Sequence, residues 1–270
     1  MNKFHLSDIY VYPIKSLGGI RLEEARIEDK GLQYDRRWML IDEAGTFITQ
    51  RKHPTLALLQ VDIVDTTLVV SNRLFPEERI VFPINGNTGL SQPVVIWDDV
   101  STGFEVDENV SQWFSDFMKM KVKLVGMPKE EKRKVDPRYA VQHEIVSFAD
   151  GYPCLIIGQS SLDGLNVKLE EPVLMDRFRP NFVFTGGEPH VEDRFRTFEL
   201  SGISFSAVKP CARCVLITVD QQTGVKGAEP LRTLAGYRSI NKKILFGQNL
   251  LHEGEGMIRV GDELKVKTWK

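Results

Sequence analysis

Two closely spaced cysteines, Cys211 and Cys214, are the residues of this sequence best suited to chemistry. They are flanked by the basic residues Lys209 and Arg213, and positive charge near a thiol favours its ionised form. A thiolate can act as a nucleophile or as a ligand for a soft metal. The motif therefore predicts a functional sulfur.

A Cys-x-x-Cys spacing is compatible with four kinds of site. A structural zinc ion needs about four ligands, but there is no second Cys-x-x-Cys and the five histidines are scattered. A thioredoxin-like dithiol begins a helix, whereas β-branched residues follow this motif. A purely structural pair is the third alternative, because free cysteine is often a small buried hydrophobe. We favour the fourth, a thiolate that serves a soft metal centre.

The motif lies within residues 203–224, where the sequence pattern predicts two short strands. Apolar residues alternate before the motif and a β-branched run follows it, so the two strands should join at Lys209–Cys214. Pro210 has no backbone N–H and lets the chain bend out of a sheet. We interpret Phe246–Asn249 as a turn, and Cys154, in an apolar run, as a core residue.

Basic residues stand at three other predicted strand ends. Lys15 and Ser16 follow one strand, Arg36 begins another, and Arg179 and Asn181 flank a proline before a third. Each basic side chain taken alone is most simply a solvated surface charge. If several of them converge, they would form a cradle for a phosphate, since Arg offers a bidentate fork and Lys a point charge.

The elements that must position these residues are mostly short strands, separated by Pro, Gly and Asn, which predicts a barrel or sandwich. Helical periodicity is clear in one segment, with Asp107 as its N-cap. A second helix is predicted with Ser160 or Ser161 as N-cap, and a short third helix after Pro230. Residues 128–138 are charged and indicate a solvated loop. The fold class is mainly β with a few helices (α+β).

Two domains are expected, a β-barrel-like N-terminal domain (1–120) and a β-barrel C-terminal domain (121–270). The net charge of −2 argues against nucleic-acid binding. The sequence begins with a strand pattern and shows neither a signal-peptide core nor an apolar run long enough to span a bilayer. With only three cysteines in the chain, we expect a reducing cytoplasm and no membrane association.

Six motifs occur in the order found in MOSC-domain proteins, and this chain resembles that family over nearly its whole length. The likeness is greatest to the bacterial N-hydroxylaminopurine-reducing members and to the mitochondrial amidoxime-reducing component. The motifs are Tyr12-Pro13-Ile14-Lys15-Ser16, Asp35-Arg36-Arg37-Trp38, Phe148-Ala149-Asp150-Gly151-Tyr152-Pro153, Phe178-Arg179-Pro180-Asn181, Lys209-Pro210-Cys211-Ala212-Arg213-Cys214 and Phe246-Gly247-Gln248-Asn249.

The resemblance implies an N-terminal MOSC β-barrel domain, a MOSC domain and a molybdenum cofactor (molybdopterin). It implies that Cys214 is the catalytic cysteine and the molybdenum ligand. The implied cofactor-binding residues are Lys15, Ser16, Arg36, Arg179, Asn181 and Cys211.

The implied activity is reduction of N-hydroxylated small molecules, namely amidoximes, hydroxylamines and N-hydroxylated bases. Many bacterial relatives carry a C-terminal ferredoxin domain with a Cys-x4-Cys-x2-Cys motif, and the sequence ends at Lys270 without one. We therefore expect electrons from a separate ferredoxin, flavodoxin or flavin reductase. The alternative is a cofactor-binding carrier or sulfur-handling module with no reductase activity, because MOSC domains also resemble the C-terminal part of molybdenum-cofactor sulfurases.

Overall fold

A computed structural model describes residues 3–270 and confirms a mainly β fold with a few helices. The strands in chain order are β1 (Phe4–Val11), β2 (Ile20–Leu22), β3 (Glu24–Glu28), β4 (Gly31–Leu32), β5 (Trp38–Ile41), β6 (Leu59–Val64), β7 (Thr67–Asn72), β8 (Arg79–Pro83), β9 (Ser91–Ile96), β10 (Asp99–Glu105), β11 (Lys123–Gly126), β12 (Cys154–Gly158), β13 (Phe182–Thr185), β14 (Phe195–Leu200), β15 (Ile203–Arg213), β16 (Ser239–Ile240), β17 (Lys243–Glu253), β18 (Gly256–Arg259) and β19 (Glu263–Trp269).

Three α-helices and four short 3-10 helices lie among these strands in the described chain. The α-helices are α1 (Glu108–Met118), α2 (Gln159–Asn166) and α3 (Leu231–Tyr237), and the 3-10 helices are Pro54–Leu58, Met175–Arg177, Val191–Arg194 and Val215–Thr218. Asp107 caps α1 as predicted, because its carboxylate accepts the backbone N–H groups of Asn109 and Val110.

Seven strands close into a barrel in the order β12-β13-β1-β19-β14-β15-β17, with β17 pairing back to β12. All of these pairs are antiparallel except β12–β13. Closure leaves no free edge between these strands. The interior is filled by apolar side chains, among them stacked Phe198 and Phe205. This barrel supplies the rigid wall on which the cysteine motif is carried.

Three smaller sheets lie beside the barrel in the described chain. One of them, β18-β3-β4, contributes Ile27 and Ile258 to the barrel core. The other two, β5-β11-β10-β9 and β6-β7-β8, belong to the N-terminal part and have their own core. Helix α1 buries Val110 and Phe114 against Leu40, Phe82 and neighbouring side chains of this core. Strand β1 pairs with β13 and β19 of the barrel, so the two parts of the chain share one sheet. The division into 1–120 and 121–270 stays a prediction.

The structure corrects the prediction of two strands joined at the cysteine motif. Strand β15 runs straight through Pro210 and pairs with β17 as far as Arg213. The β-branched run after the motif forms the 3-10 helix Val215–Thr218 instead of a strand. Burial of Ile217, together with a hydrogen bond from the Thr218 hydroxyl to the Val215 carbonyl (2.8 Å), outweighs β propensity there.

Two other local predictions were wrong, and a third holds only in part. Residues 246–249 lie inside β17, where Gly247 (φ 82°) permits close approach to the Ile156 carbonyl. Helix α2 has Gly158 as its N-cap, because the Ser161 hydroxyl is committed to buried Glu192. The segment 128–138 is not fully solvated, since Arg133 is buried and donates to three backbone carbonyls, those of Ser147, Ala149 and Asp150.

In the described chain no helix is long and apolar enough to span a membrane.

Candidate functional site

A cavity of about 710 Å³ lies at the point where β15 ends. Its walls come from the tip of the β9–β10 hairpin, from residues 133–138 and 149–155, and from both sides of the cysteine motif. Its ionisable lining residues are Lys15, Arg36, Arg51, Asp98, Asp99, Arg133, Lys134, Asp136, Arg138, Asp150, Arg179, Lys209 and Arg213. Nine of these are basic and four acidic, a local excess of five positive charges in a chain whose net charge is −2. The cavity is therefore suited to an anion.

All of the residues predicted to form the site line this one cavity. They are Lys15, Ser16, Arg36, Arg179, Asn181, Cys211 and Cys214. They come from strand ends that are far apart in the sequence, and the closed barrel brings those ends together. The convergence that spacing alone did not establish is thus observed, while the role of each residue stays a prediction.

Cys214 follows β15 directly, and the cation that contacts its sulfur is Arg51. The Arg51 Nε donates to Cys214 Sγ at 3.1 Å. The predicted flanking cations do not take this role. The Lys209 ammonium lies 4.4 Å from the centre of the Tyr139 ring, and Arg213 donates to backbone carbonyls. Positive charge does reach the thiol, but from a segment more than a hundred residues away in the sequence.

Asp150 connects Arg51 to Lys15 and so builds a continuous polar chain to Cys214. Its carboxylate accepts from Arg51 Nη2 at 2.7 Å and from Lys15 Nζ at 2.5 Å. Burial opposes ionisation of this carboxyl, but Lys15 and Arg51 outweigh it and hold the pKa of Asp150 far below its usual range. Asp150 stays open to the cavity on its other side. It is an anion that fixes two cations beside the sulfur.

Lys15 is almost completely buried, with 6% of its surface exposed. Besides Asp150, its ammonium donates to the Phe148 carbonyl at 2.8 Å. Burial, aided by the nearby charges of Arg133 and Arg51 and only partly offset by Asp150, lowers the pKa of Lys15 to about 8. Its charge is therefore sensitive to mildly alkaline pH.

Two arginines each leave one buried guanidinium nitrogen without a partner. Arg179 donates through Nη1 to the Leu17 carbonyl at 2.7 Å, but its Nη2 has no partner. Arg213 donates to the carbonyls of Phe246 and Phe178, and its Nη2 is likewise unpartnered. Buried charged donors are normally paired because leaving them unpaired is costly. Burial lowers the pKa of Arg179 to about 10, which reflects this cost.

These two unpartnered nitrogens indicate whether the donors of the site fit the phosphate of the implied cofactor. Both arginines line the cationic cavity, and an incoming phosphate would satisfy donors that the protein leaves free. Cys214 adds a sulfur at the same cavity. The donor set present, guanidinium forks with one thiol, fits a phosphate-bearing group that also carries a soft metal.

Arg36 and Arg179 are held by a shared aromatic ring and by strained backbone. Both guanidinium carbons lie 4.2 Å from the centre of the Tyr12 ring. Arg36 also binds Asp35 through Nη1 (2.7 Å) and donates to the Arg179 carbonyl (3.2 Å). Ser16, Arg36 and Arg179 have φ values of 71°, 50° and 53°, a conformation that non-glycine residues seldom adopt and that clusters at functional sites.

Asn181 and the other two cysteines occupy more structural positions. The Asn181 amide links strands by accepting from Leu155 N (3.2 Å) and donating to the Tyr10 carbonyl (3.1 Å). Cys211 borders the cavity, and burial raises the pKa of its thiol. Cys154 is in the barrel core, as predicted. All three cysteines are free thiols.

Sequence reasoning missed Arg51 and Asp150. Asp150 stands within the motif Phe148–Pro153, and this was a usable signal, because a carboxylate is needed to neutralise converging cations. Arg51 had no signal in the sequence, and the structure places it in a turn in which Thr49 Oγ1 accepts from Arg51 N. Over residues 3–270, no group of three or more His, Cys, Asp or Glu side chains is arranged to hold a metal ion.

The barrel and the cationic thiol cavity define a MOSC-type protein, and the chain belongs to the MOSC family. The MOSC N-terminal beta barrel domain matches residues 3–121 and the MOSC domain matches residues 143–265. The match to both domains confirms the resemblance seen in the motifs.

Curated relatives agree with this membership. The chain is 32% identical to mouse mitochondrial amidoxime-reducing component 1 over 95% of its own length and 80% of that protein. It is 30% identical to the human protein of the same name, over 95% of this chain and 81% of the relative. It is also 29% identical to a molybdenum cofactor sulfurase of Oryza sativa subsp. japonica, over 98% of this chain but only 35% of that protein. Two of these names refer to amidoxime reduction and one to the molybdenum cofactor, and together with the MOSC domain match they support a function related to that cofactor.

Proposed function

We propose that this protein is a molybdenum-cofactor-dependent reductase of N-hydroxylated compounds. The observation that supports this most directly is the cavity in which a cysteine sulfur, an arginine bonded to that sulfur and two unpartnered guanidinium nitrogens lie together. The amidoxime-reducing names of the relatives supply the reaction class. The cavity supplies a place where it can occur.

The cofactor would be held at two ends. Arg179 and Arg213, with Lys15 and Arg36, would bind its phosphate, because these cations line the cavity and the two arginines named first each keep one nitrogen without a partner. Cys214 would supply the protein sulfur ligand to molybdenum. Ser16, Asn181 and Cys211 would form the wall against which the pterin rests. When bound, the cofactor supplies the two-electron redox chemistry of the reaction.

The reaction converts an N–OH group to N–H with release of water. It consumes two electrons and two protons, so that the N–O bond breaks and the oxygen leaves as water. The electrons would come from a separate ferredoxin, flavodoxin or flavin reductase. Dithionite can replace that partner in a test.

The residues around Cys214 would prepare the site for this chemistry. Arg51 holds its positive charge next to the Cys214 sulfur, and Asp150 fixes Arg51 from the other side. Burial opposes the charge of Arg51, but Asp150 and Cys214 raise its pKa, so Arg51 stays protonated at neutral pH. The arginine can therefore orient the sulfur without taking part in proton transfer.

Two measurements test this function. The protein is expressed in a host that makes the molybdenum cofactor, and bound molybdenum is quantified by mass spectrometry. Near-stoichiometric molybdenum is expected, and a metal-free protein would contradict the proposal. Dithionite and an amidoxime are then added and the amidine product is measured.

The second measurement separates the reductase from its alternative. A carrier or sulfur-handling module, favoured by the likeness to a cofactor sulfurase, would retain molybdenum but form no amidine. Product formation that depends on both dithionite and bound molybdenum supports the reductase.

A further inference from the structure

Trp97 occupies a backbone position that is unfavourable for a large side chain. Because Asp99 pairs with Ile96, Trp97 and Asp98 form a two-residue turn between β9 and β10. Trp97 has a φ of 56°. Such turns favour Gly, Asn or Asp at positive φ, and a bulky residue there is a true outlier. A tryptophan at this position calls for a compensating role.

The Trp97 ring stands at the cavity beside the proposed reaction centre. It packs edge-on against Phe47, with ring centres 4.9 Å apart, and the Arg51 guanidinium carbon lies 4.6 Å from its centre. Arg51 in turn donates to Cys214 Sγ. Nevertheless, 49% of Trp97 remains exposed, and the residue is part of the cavity lining. The neighbouring side chains therefore fix the ring in place without covering it.

We propose that Trp97 is a specificity-determining residue. Its exposed ring surface stacks on the flat aromatic or heteroaromatic part of the substrate, and the N–OH group of the substrate then faces Cys214. This rests on the proposed function, and it narrows the substrate class to N-hydroxylated compounds that carry an aromatic ring. Aromatic stacking is geometrically undemanding but discriminates flat rings from alkyl groups. An exposed, immobilised indole provides such a surface at little entropic cost, because its conformation is already fixed.

A purely structural role for Trp97 makes a different prediction. If the ring served only to position Arg51, its loss would impair every substrate to the same degree. The two roles are separated by comparing an aryl substrate, benzamidoxime, with an alkyl one, acetamidoxime, in the Trp97→Leu variant. Loss of stacking should lower kcat/KM for benzamidoxime roughly tenfold, equivalent to about 1.4 kcal/mol, and leave the ratio for acetamidoxime near one.

Trp269 provides a matched control. It is similarly exposed, at 46%, and also lies beside an arginine, with Arg194 5.4 Å from its ring, but it is outside the cavity lining. Trp269→Leu should leave the preference for the aryl substrate unchanged. Should Trp97→Leu fail to fold, Trp97→Gly replaces it, because glycine adopts a positive φ without strain.

Binding measured by tryptophan fluorescence tests the inference without turnover. Benzamidoxime should quench the emission of the wild type and of Trp269→Leu, and this saturable quenching should disappear in Trp97→Leu. Equal losses for both substrates, an unchanged substrate preference, or quenching that persists in Trp97→Leu would each overturn the proposal. A wild type that binds benzamidoxime through Trp97 yet reduces neither amidoxime would contradict the proposed function and not this inference.

Discussion

Two cavities in the described part of the chain can be compared, and the larger of them has the weaker claim to be the site. The second cavity, about 880 Å³, lies around Trp38 and the turn at Asn85–Asn87. Its ionisable lining residues are Arg26, Glu28, Asp29, Lys30, Arg37, Lys129, Glu130 and Glu255, four basic and four acidic. The cavity beside Cys214 is smaller but has an excess of five positive charges. Charge balance, and not volume, distinguishes the two.

Adjacent arginines show the same difference at the level of single side chains. Arg36 faces the first cavity and Arg37 the second. Arg37 donates to Glu28, which also accepts from Gln33, so this corner of the second cavity is internally satisfied. In the first cavity Arg179 keeps a buried nitrogen with no partner. A cavity whose polar groups are already paired has no unsatisfied donors to offer a ligand, whereas unpaired buried donors imply one.

The largest effect is expected from the Cys214 sulfur, since no cysteine lines the second cavity. Cys214→Ala should reduce both bound molybdenum and amidoxime turnover to background, because the protein would lose its metal ligand. The fold should be retained, since the side chain borders a cavity and caps no helix. Metal content by mass spectrometry and circular dichroism check the two statements.

Cys154→Ala is the thiol control for this experiment. Cys154 also borders the cavity, but only 2% of it is exposed and it belongs to the apolar barrel core. Burial strongly raises the pKa of its thiol, so it should not act as a ligand. The variant should keep its molybdenum. Equal retention by Cys214→Ala would reject the assignment of the ligand.

A smaller effect is expected when one unpartnered arginine is removed. Arg179→Gln should weaken binding of sulfate, a phosphate analogue, to the cofactor-free protein by roughly ten- to a hundredfold, since hydrogen bonds to charged groups contribute about 1.5–3 kcal/mol. Arg37→Gln makes the same chemical change in the second cavity and should leave sulfate affinity unaltered. Isothermal titration calorimetry measures both, with melting temperatures to verify folding. Equal losses in the two variants would abolish the distinction between the cavities.

The sequence predicted many of the residues of the site but few of the contacts between them. Strand alternation and the helical stripe after Asp107 were sufficient for a mainly β fold with a few helices, because these periodicities depend on local burial. The motifs at Lys15, Arg36 and Arg179 were also recognisable. Their convergence depends on closure of the barrel, a long-range property that no local pattern contains.

Other features were invisible because tertiary contacts decided them. The β-branched residues after Cys214 form a 3-10 turn since Ile217 is drawn into a core. The cation that contacts the sulfur, Arg51, comes from a turn. Its side chain is positioned by Asp150 and Trp97, which are distant from it in the sequence. Residues flanking a thiol in sequence, such as Arg213, are therefore a poor guide to what touches it.

The smallest effect is expected from pH, and it is expected in only one cavity. The pKa of Lys15 is lowered to about 8, chiefly by burial. Below that pH Lys15 is charged and attracts an anion, and as the pH rises through 8 the charge is lost. Sulfate affinity of the cofactor-free protein should therefore fall by up to about tenfold across this range, the effect of one lost charge-assisted contact.

Lys15→Arg removes this titration, because a guanidinium stays charged well above the range. The variant should bind sulfate with an affinity that changes little with pH, as measured by calorimetry at fixed ionic strength. A Lys15→Arg variant with the same alkaline loss of sulfate affinity would show that a different group controls the anion site.

The same pKa makes an opposite prediction for stability. The unfolded chain keeps the Lys15 proton up to its ordinary pKa near 10.5. Between pH 8 and that value the unfolded chain therefore binds more protons than the folded protein, and the contribution of Lys15 to stability rises with pH.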